Sequence, residues 1–383
     1  MRIVFLDHIA VWSGGEIALH RLLAGLRDAK TDVEPLLVLG EDGPLAERVA
    51  ELGVEVRVLP MAGRTRSLSR AESARLPLRA VWDTLHYVWR LRGILRQERP
   101  DLVHTNSLKS GIYGSLAARL AGVPVVWHVR DRIAEDYLGR PLTLLMRPLL
   151  ALLPSAILVN SEATRQTIGR ALARVPNAVL DDPYRPDKVA SPRPRPHAEP
   201  VVALVGRMAP WKGQHLFLDA LERLPTGLRA RGLLLGSALF GEEEYAAGVE
   251  QRVDSTENTR ISSFTGDVSE ALADVDVVVN ASVLPEPFGQ VVVEAIANGV
   301  PVVVPDEGGP AEIVQHGTSG LVYRAGDPDS LAQRLAELLG DTDLYARLSA
   351  GGLERARAYD PEQVAASYRV FVTRVPGRAS PSS

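Results

Sequence analysis

The sequence predicts an α/β chain folded as two parallel, doubly wound domains. Three observations lead there. Short runs of Val, Ile and Leu alternate with longer amphipathic stretches along the whole chain, the pattern of strands buried on both faces and covered by helices. A length of 383 residues exceeds an ordinary single domain and suits two. The alternation also breaks once, at 181–200, where DDPYRPDKVASPRPRPHAEP is rich in proline and almost devoid of apolar residues.

Taken in order, the apolar runs 3–6, 33–39, 54–59, 102–105, 125–129 and 156–160 read as strands. Between them, 17–26, 45–52, 81–95, 111–120 and 143–153 carry helical periodicity. After the break, strands are expected at 201–205, 232–235, 261–264, 275–280, 302–304 and 321–323. Helices are expected at 214–224, 242–253, 291–298, 330–339 and 344–358. This gives an N-terminal domain over 1–180, a linker over 181–200 and a C-terminal domain over 201–360. A last helix at 361–375 follows a Tyr-Asp-Pro break and is expected to pack back on the first domain, and 376–383 reads as a disordered tail. Two Rossmann-like domains facing a central cleft is the economical arrangement.

Composition narrows the class. The net charge of −4 and pI near 6.1 give no reason to expect nucleic acid. The chain has no cysteine, which excludes a disulfide framework, a thiol nucleophile and a cysteine zinc site, and fits a reducing cytoplasm. The apolar N-terminus is interrupted by Asp7 and His8 and reads as a first strand, not a signal peptide. The apolar stretch 142–159 is broken by Arg147, Pro148 and Pro154, and reads as a helix and a strand rather than a membrane span.

Three constellations carry chemistry. Gly206-Arg207-Met208-Ala209-Pro210-Trp211-Lys212-Gly213 follows a strand directly. Its glycines permit close approach of backbone to ligand, and two cations beside a helix N-terminus make a diphosphate cradle. The ordinary reading is a tight turn with two solvated cations. Glu286 and Glu294 stand eight positions apart, one in a Pro-Phe-Gly loop and one on the helix that follows. Carboxylates bind vicinal hydroxyls in bidentate fashion, so two of them suit a ligand with two diols, as a nucleotide sugar has. Glu294 sits among Val291, Val292, Val293, Ala295 and Ile296, where an idle carboxylate is costly. Asp306-Glu307-Gly308-Gly309-Pro310-Ala311-Glu312 repeats the strand, glycine and helix-start pattern, with Glu312 equally readable as a first-turn dipole partner.

In this order, GR…KG, EPFG with a second glutamate and GG…E before a Gly-Leu-Val strand, the C-terminal half resembles the donor domain of a family 4 glycosyltransferase. Weaker echoes are Gly14-Gly15-Glu16 after the first strand, Trp127-His128-Val129-Arg130-Asp131 and Val159-Asn160-Ser161. The resemblance implies the GT-B architecture, a retaining, metal-independent transfer and no cofactor beyond a nucleotide-diphosphate sugar co-substrate of the UDP or GDP type. It implies that Arg207 and Lys212 hold the diphosphate, with Gly206 shaping the loop. Glu294 would take the ribose hydroxyls. Glu286 would hold the sugar, helped by the amides of Phe288 and Gly289. Gly14 and Gly15 would let the first loop approach phosphate and acceptor, and His128 would line the reaction centre.

The acceptor side is less determined. Glu16, Arg130 and Asp131 are the candidate acceptor contacts. With Glu135 and Asp136, the acids among them suit a polyhydroxyl or cationic acceptor. The acceptor classes are a saccharide, a lipid-linked molecule or a natural product. The arginine-rich segment 64–99, with Trp82, Tyr87 and Trp89 interleaved, reads either as a peripheral contact to anionic lipid or as a solvated helix whose aromatics pack inward. An epimerase or phosphorylase of the same fold and a non-catalytic sugar-nucleotide binder are the competing functions. A pyridoxal-dependent phosphorylase needs a Schiff-base lysine, and Lys212, the only lysine of the second half, is taken by the phosphate loop.

Overall fold

The structure is a computed structural model that describes residues 1–61, 78–238, 241–256, 258–263 and 268–376; of the side chains, those of 78–81 are also outside the description. The chain forms two compact units, Met1–Pro183 with Pro361–Ser383, and Tyr184–Asp360. Arg64, Arg66, Arg70, Arg75 and the 377–383 tail lie outside the described residues.

The first unit runs β1 (Arg2–Asp7), α1 (Gly14–Asp28), β2 (Glu34–Leu39), α2 (Pro44–Glu51), β3 (Glu55–Val58), α3 (Leu78–Glu98), β4 (Leu102–Thr105), α4 (Leu108–Ala121), β5 (Val125–Val129), α5 (Glu135–Leu138), α6 (Arg140–Leu152), β6 (Ala156–Val159), α7 (Glu162–Ile168) and β7 (Asn177–Val179). Every described pairing is parallel, in the order β3-β2-β1-β4-β5-β6-β7. Side chains alternate between two apolar layers, as strands dictate. Ile3, Phe5 and Leu102 face one core, Val4, Leu6 and Val103 the other. Sequence periodicity misses α7 and β7, one short and polar, the other a half-exposed edge strand.

The second unit runs β8 (Val201–Val205), α8 (Gln214–Glu222), β9 (Arg231–Leu235), α9 (Glu243–Asp254), β10 (Thr259–Ser262), α10 (Val268–Ala271), β11 (Val277–Val279), α11 (Gln290–Ala297), β12 (Val302–Pro305), α12 (Gly309–Ile313), β13 (Leu321–Tyr323), α13 (Pro328–Gly340) and α14 (Thr342–Ala356). Its parallel sheet has the order β10-β9-β8-β11-β12-β13. Each sheet reverses direction of growth once, at β1/β4 and at β8/β11. Such switch points open a crevice beyond the strand carboxyl ends.

The last helix, α15 (Pro361–Thr373), belongs to the first unit. It packs on α1 at Gly25, where a Cβ would lie 2.4 Å from the Pro361 carbonyl oxygen. Arg369 pairs with Asp32, and Tyr368 meets His104. The proline-rich stretch is not a free tether. Tyr184 is buried in the second unit's core, Arg193 donates to the Val275 and Leu272 carbonyls, and Asp276 accepts the amides of His197 and Val201. Proline leaves few backbone donors to pair, so these side-chain and amide contacts fasten the strap without secondary structure.

On α3, Tyr87, Val88, Leu91 and Leu95 face the core, whereas Trp82 and Trp89 are exposed. The expectation that all these aromatics pack inward therefore fails for both tryptophans, which occupy the opposite stripe of the helix. Among the described residues no helix is long and apolar enough to cross a membrane.

Candidate active site

In the second unit Lys212 and Glu286 meet at the β8/β11 switch, with Arg207 and Glu294 on the segments beside them. After β8, Gly206 adopts φ +148°, and its amide donates to the Leu235 carbonyl. The chain then makes a single turn over Pro210–Lys212 and enters α8 through Gly213, at φ +71°. A Cβ on Gly213 would lie 1.9 Å from the Ala281 carbonyl oxygen, so only glycine lets this loop sit against the β11 loop. The loop is further tied by Gln214, which donates to the Arg207 carbonyl, and by the Val283 amide on the Trp211 carbonyl.

This close approach brings Lys212 onto Glu286. The ammonium donates to Glu286 Oε1, while Glu286 Oε2 accepts from Asn280 Nδ2 at 2.7 Å and Ser282 Oγ at 3.0 Å. Both charged side chains are largely buried. Burial alone would raise the Glu286 carboxyl. The Lys212 charge, with hydrogen bonds from Lys212, Asn280 and Ser282, outweighs it and holds the group below its ordinary value. Arg207 lies 3.0 Å from Glu242, and both cations approach Trp211, Lys212 at 4.5 Å and Arg207 at 5.7 Å from the ring centre.

Phe288 is buried against Tyr359, and Gly289, at φ +107°, opens α11. The glycine pair of the following loop packs directly beneath. The Gly309 amide donates to the Glu286 carbonyl at 2.8 Å, and a Cβ on Gly309 would meet the Phe288 carbonyl oxygen at 2.3 Å. Glu294 is 5% exposed on α11. Arg207, Lys212, Glu286 and Glu294 thus lie on segments that follow two adjacent strands of one sheet. Sequence reasoning missed Asn280, Ser282 and Glu242. Asn280 ends a strand and Ser282 opens the same loop as Glu286, which was the available signal.

In the first unit the β1/β4 switch holds a second polar cluster. Asp7, fully buried at the end of β1, accepts from Asn106 Nδ2 at 2.7 Å and from Ser107 Oγ at 2.9 Å. His8 Nδ1 lies 2.9 Å from Ser107 Oγ and 3.1 Å from Asp7 Oδ1. Burial would raise the Asp7 carboxyl, but hydrogen bonding and charge from His8, with the Asn106 bond, hold it below its usual range.

The predicted residues of this unit sit differently from expectation. Gly14 and Gly15 form the first turn of α1 rather than a loop, and Gly15 has ordinary contact with Arg130. Glu16 is 5% exposed, and Ser13 Oγ donates to it. Burial, then the charge of Asp7, pushes its carboxyl up to about 8. At neutral pH this favours the protonated form, which donates to a hydroxylated ligand rather than attracting a cationic one. Arg130 is committed: it pairs with Asp182, both buried, and donates to Asn106 Oδ1 at 2.7 Å. Asp131 accepts from the Tyr137 hydroxyl at 2.9 Å. His128 is 1% exposed within β5, its ring edge-on to His104 at 5.3 Å. Neither ring nitrogen has a partner among the described residues, and burial holds the ring neutral, well below its ordinary pKa.

The chain resembles known proteins along both halves. The family model described as "Glycosyl transferases group 1" matches residues 187–355, and that described as "Glycosyl transferase 4-like domain" matches 13–180. The chain is 30% identical over 339 residues to a GDP-mannose-dependent alpha-mannosyltransferase of Mycobacterium tuberculosis (strain CDC 1551 / Oshkosh), spanning 83% of this chain and 82% of the relative. It is 28% identical to a phosphatidyl-myo-inositol mannosyltransferase of Mycobacterium leprae (strain TN), over 86% and 91% of the two chains. HepE of Anabaena, solved with UDP and glucose, superposes with a TM-score of 0.83 at 24% identity, over 98% of this chain and 100% of that one. That last likeness is one of fold, the two Rossmann-like domains of GT-B proteins.

Proposed function

Because the chain belongs to the family 4 glycosyltransferases, we propose that it is a retaining, metal-independent hexosyltransferase. It takes a sugar from a UDP or GDP donor and delivers it to a hydroxyl of a saccharide, lipid-linked or natural-product acceptor in the cytoplasm. The observation that carries this is the Lys212–Glu286 pair, braced by Asn280 and Ser282 beside the start of α11. In this reading the pair exchanges partners when the donor binds. A donor diphosphate offers Lys212 and Arg207 a stronger anionic partner than Glu286 and Glu242, and releases the Glu286 carboxylate for sugar hydroxyls. Glu294, on α11, takes the ribose diol.

In the reaction the bond from the sugar's anomeric carbon to the distal phosphate oxygen breaks, and a bond to the acceptor oxygen forms on the same face. The acceptor proton passes to the departing phosphate. Negative charge growing on that phosphate is met by Lys212, Arg207 and the α8 and α11 amide ends, all placed before the reaction. His128, held neutral by burial, has no general-acid role in this scheme. The name of the mycobacterial mannosyltransferase supports a GDP donor, and the ligands of the Anabaena structure support a UDP donor. Calorimetry with free UDP and GDP separates the roles. Glu294→Ala is expected to weaken nucleotide binding, and Glu286→Ala to spare it while lowering turnover. Unchanged affinity in the Glu294 variant removes the ribose assignment.

A further inference from the structure

Eleven large apolar residues are exposed among the described residues, and seven of them share one helical layer of the first unit. On α3 they are Trp82, Leu85 and Trp89; on α4, Leu120; on α6, Leu144, Leu145 and Leu152. Trp82 is 74% exposed and Leu152 60%. The layer on the other side of the same sheet, α1, α2 and α15, shows only Val370. Scattered single apolar residues need no explanation, but a cluster does. The stripes follow helical spacing: 82, 85 and 89 on α3, and 141, 144, 145, 148 and 152 on α6, each pointing away from the core.

Arginine joins the three helices across this surface. Arg92 lies over the Trp89 ring and donates to the Leu120 carbonyl of α4 at 3.1 Å. Arg119 of α4 donates to the Leu153 carbonyl at the end of α6 at 2.8 Å. Arg147 of α6 donates to the Ile133 and Thr167 carbonyls. Their acceptors are carbonyl oxygens, and among the described residues Arg92, Arg96, Arg119 and Arg147 have no carboxylate partner. Helices α4 and α6 contain no Asp or Glu. On α3, Glu98 is held by Arg2 and Arg57, and Asp83, the helix's other acid, lines a hollow with Pro60, Met61, His86, Tyr87 and Arg90.

We propose that this α3–α4–α6 face docks on an anionic lipid bilayer. Tryptophan and leucine enter the headgroup boundary while unneutralised arginines meet lipid phosphates. Charge decides against a second copy of the chain. A two-fold contact of this face with itself sets arginine against arginine, with no acid on α4 or α6 to relieve it.

The experiment is co-sedimentation of the full chain with vesicles of phosphatidylcholine, with and without phosphatidylglycerol. Binding is expected only with the anionic lipid and is expected to weaken with salt. Trp89→Ser with Leu144→Ser is expected to lower the partition coefficient by about tenfold or more. Arg92→Gln with Arg96→Gln is expected to reduce both binding and its salt dependence. Nucleotide calorimetry on the same variants reports whether they are folded, independently of the lipid result. No binding by the wild-type chain overturns the proposal, as does binding that survives both substitution pairs. Sedimentation velocity without lipid adds a third refutation: a dimer that Trp89→Ser dissociates makes the face a self-association surface instead.

Discussion

Replacing Lys212 with methionine keeps the apolar stem and removes the charge that Glu286 answers. The side chains are 14% and 12% exposed, so water screens the pair poorly. Removing one member of a buried ion pair costs about 3–5 kcal/mol, because a buried charge is left behind. Here Asn280 and Ser282 still donate to the carboxylate, which trims the expected loss to about 2–3 kcal/mol. The pH dependence has a definite sign. In the wild type the Glu286 carboxyl is held below its ordinary value, so its contribution to stability is present above the carboxylate range and is lost as pH falls through the folded value. In Lys212→Met burial wins and the carboxyl rises. The variant's deficit is then largest at pH 7 and shrinks in acid, where the group is protonated. Lys212→Met/Glu286→Gln should cost less than the sum of its single variants by about 1–3 kcal/mol. Urea unfolding followed by circular dichroism, at neutral and acid pH, measures all of this. The same lysine variant should lose about 2–4 kcal/mol of transition-state stabilisation in kcat/KM. Strictly additive stabilities with near-normal turnover in Lys212→Met would refute the reasoning, since the pair would then be neither coupled nor catalytic.

Two further outcomes follow from named contacts. The Glu16 carboxyl is raised from 4.5 to about 8, so stability from this group is present below the ordinary value and is lost as pH climbs toward 8. The slope is at most about 1.4 kcal/mol per pH unit. Glu16→Gln, which mimics the protonated acid, should flatten the fall in melting temperature between mildly acid and mildly alkaline buffer; an unchanged slope would show that Glu16 ionises freely. Gly213→Ala should cost about 2 kcal/mol or more and weaken nucleotide binding, because its Cβ meets the Ala281 carbonyl in a left-handed conformation. Gly227→Ala, with nothing within 4 Å, is the control, and equal melting temperatures for the two would refute the close approach.

The order of strands and helices was legible because a parallel sheet buries both faces and writes itself as uninterrupted Val, Leu and Ile runs. The C-terminal site was legible for a related reason. Close approach at a strand end needs glycine, and Gly213, Gly289 and Gly309 mark those places in the sequence, with Gly206 marking a positive φ. What periodicity could not carry was pairing at long range. Glu242 reaches Arg207 from the start of α9, and Asp182, past the end of β7, reaches Arg130 at the end of β5. Glu16 looked like a free acid because nothing local shows that Asp7 lies beside it in a dry setting. The anchors of the proline-rich segment were not legible, because they are single contacts to Asp276, Ser349 and the Val275 carbonyl rather than a periodic pattern.

The two switch points show how one fold assigns opposite charge states to buried acids. Asp7 and Glu286 each end or follow a strand at the reversal of their sheet, and each is held below its ordinary value against burial: Asp7 by His8 and by Asn106 from the neighbouring strand end, Glu286 by Lys212 from the neighbouring strand's loop and by Asn280 and Ser282 of its own. Glu16 is buried close to Asp7 and, among the described residues, only Ser13 gives it a side-chain hydrogen bond, so burial first and the Asp7 charge second push its carboxyl up. Environments that drive neighbouring carboxyls apart are how a protein divides acid and anion roles at one pH. In the second unit the counterion of the ionised acid is a lysine, a point charge on a flexible four-carbon stem. In the proposed transfer the lysine would exchange Glu286 for the donor's diphosphate, and the freed carboxylate would meet the sugar hydroxyls.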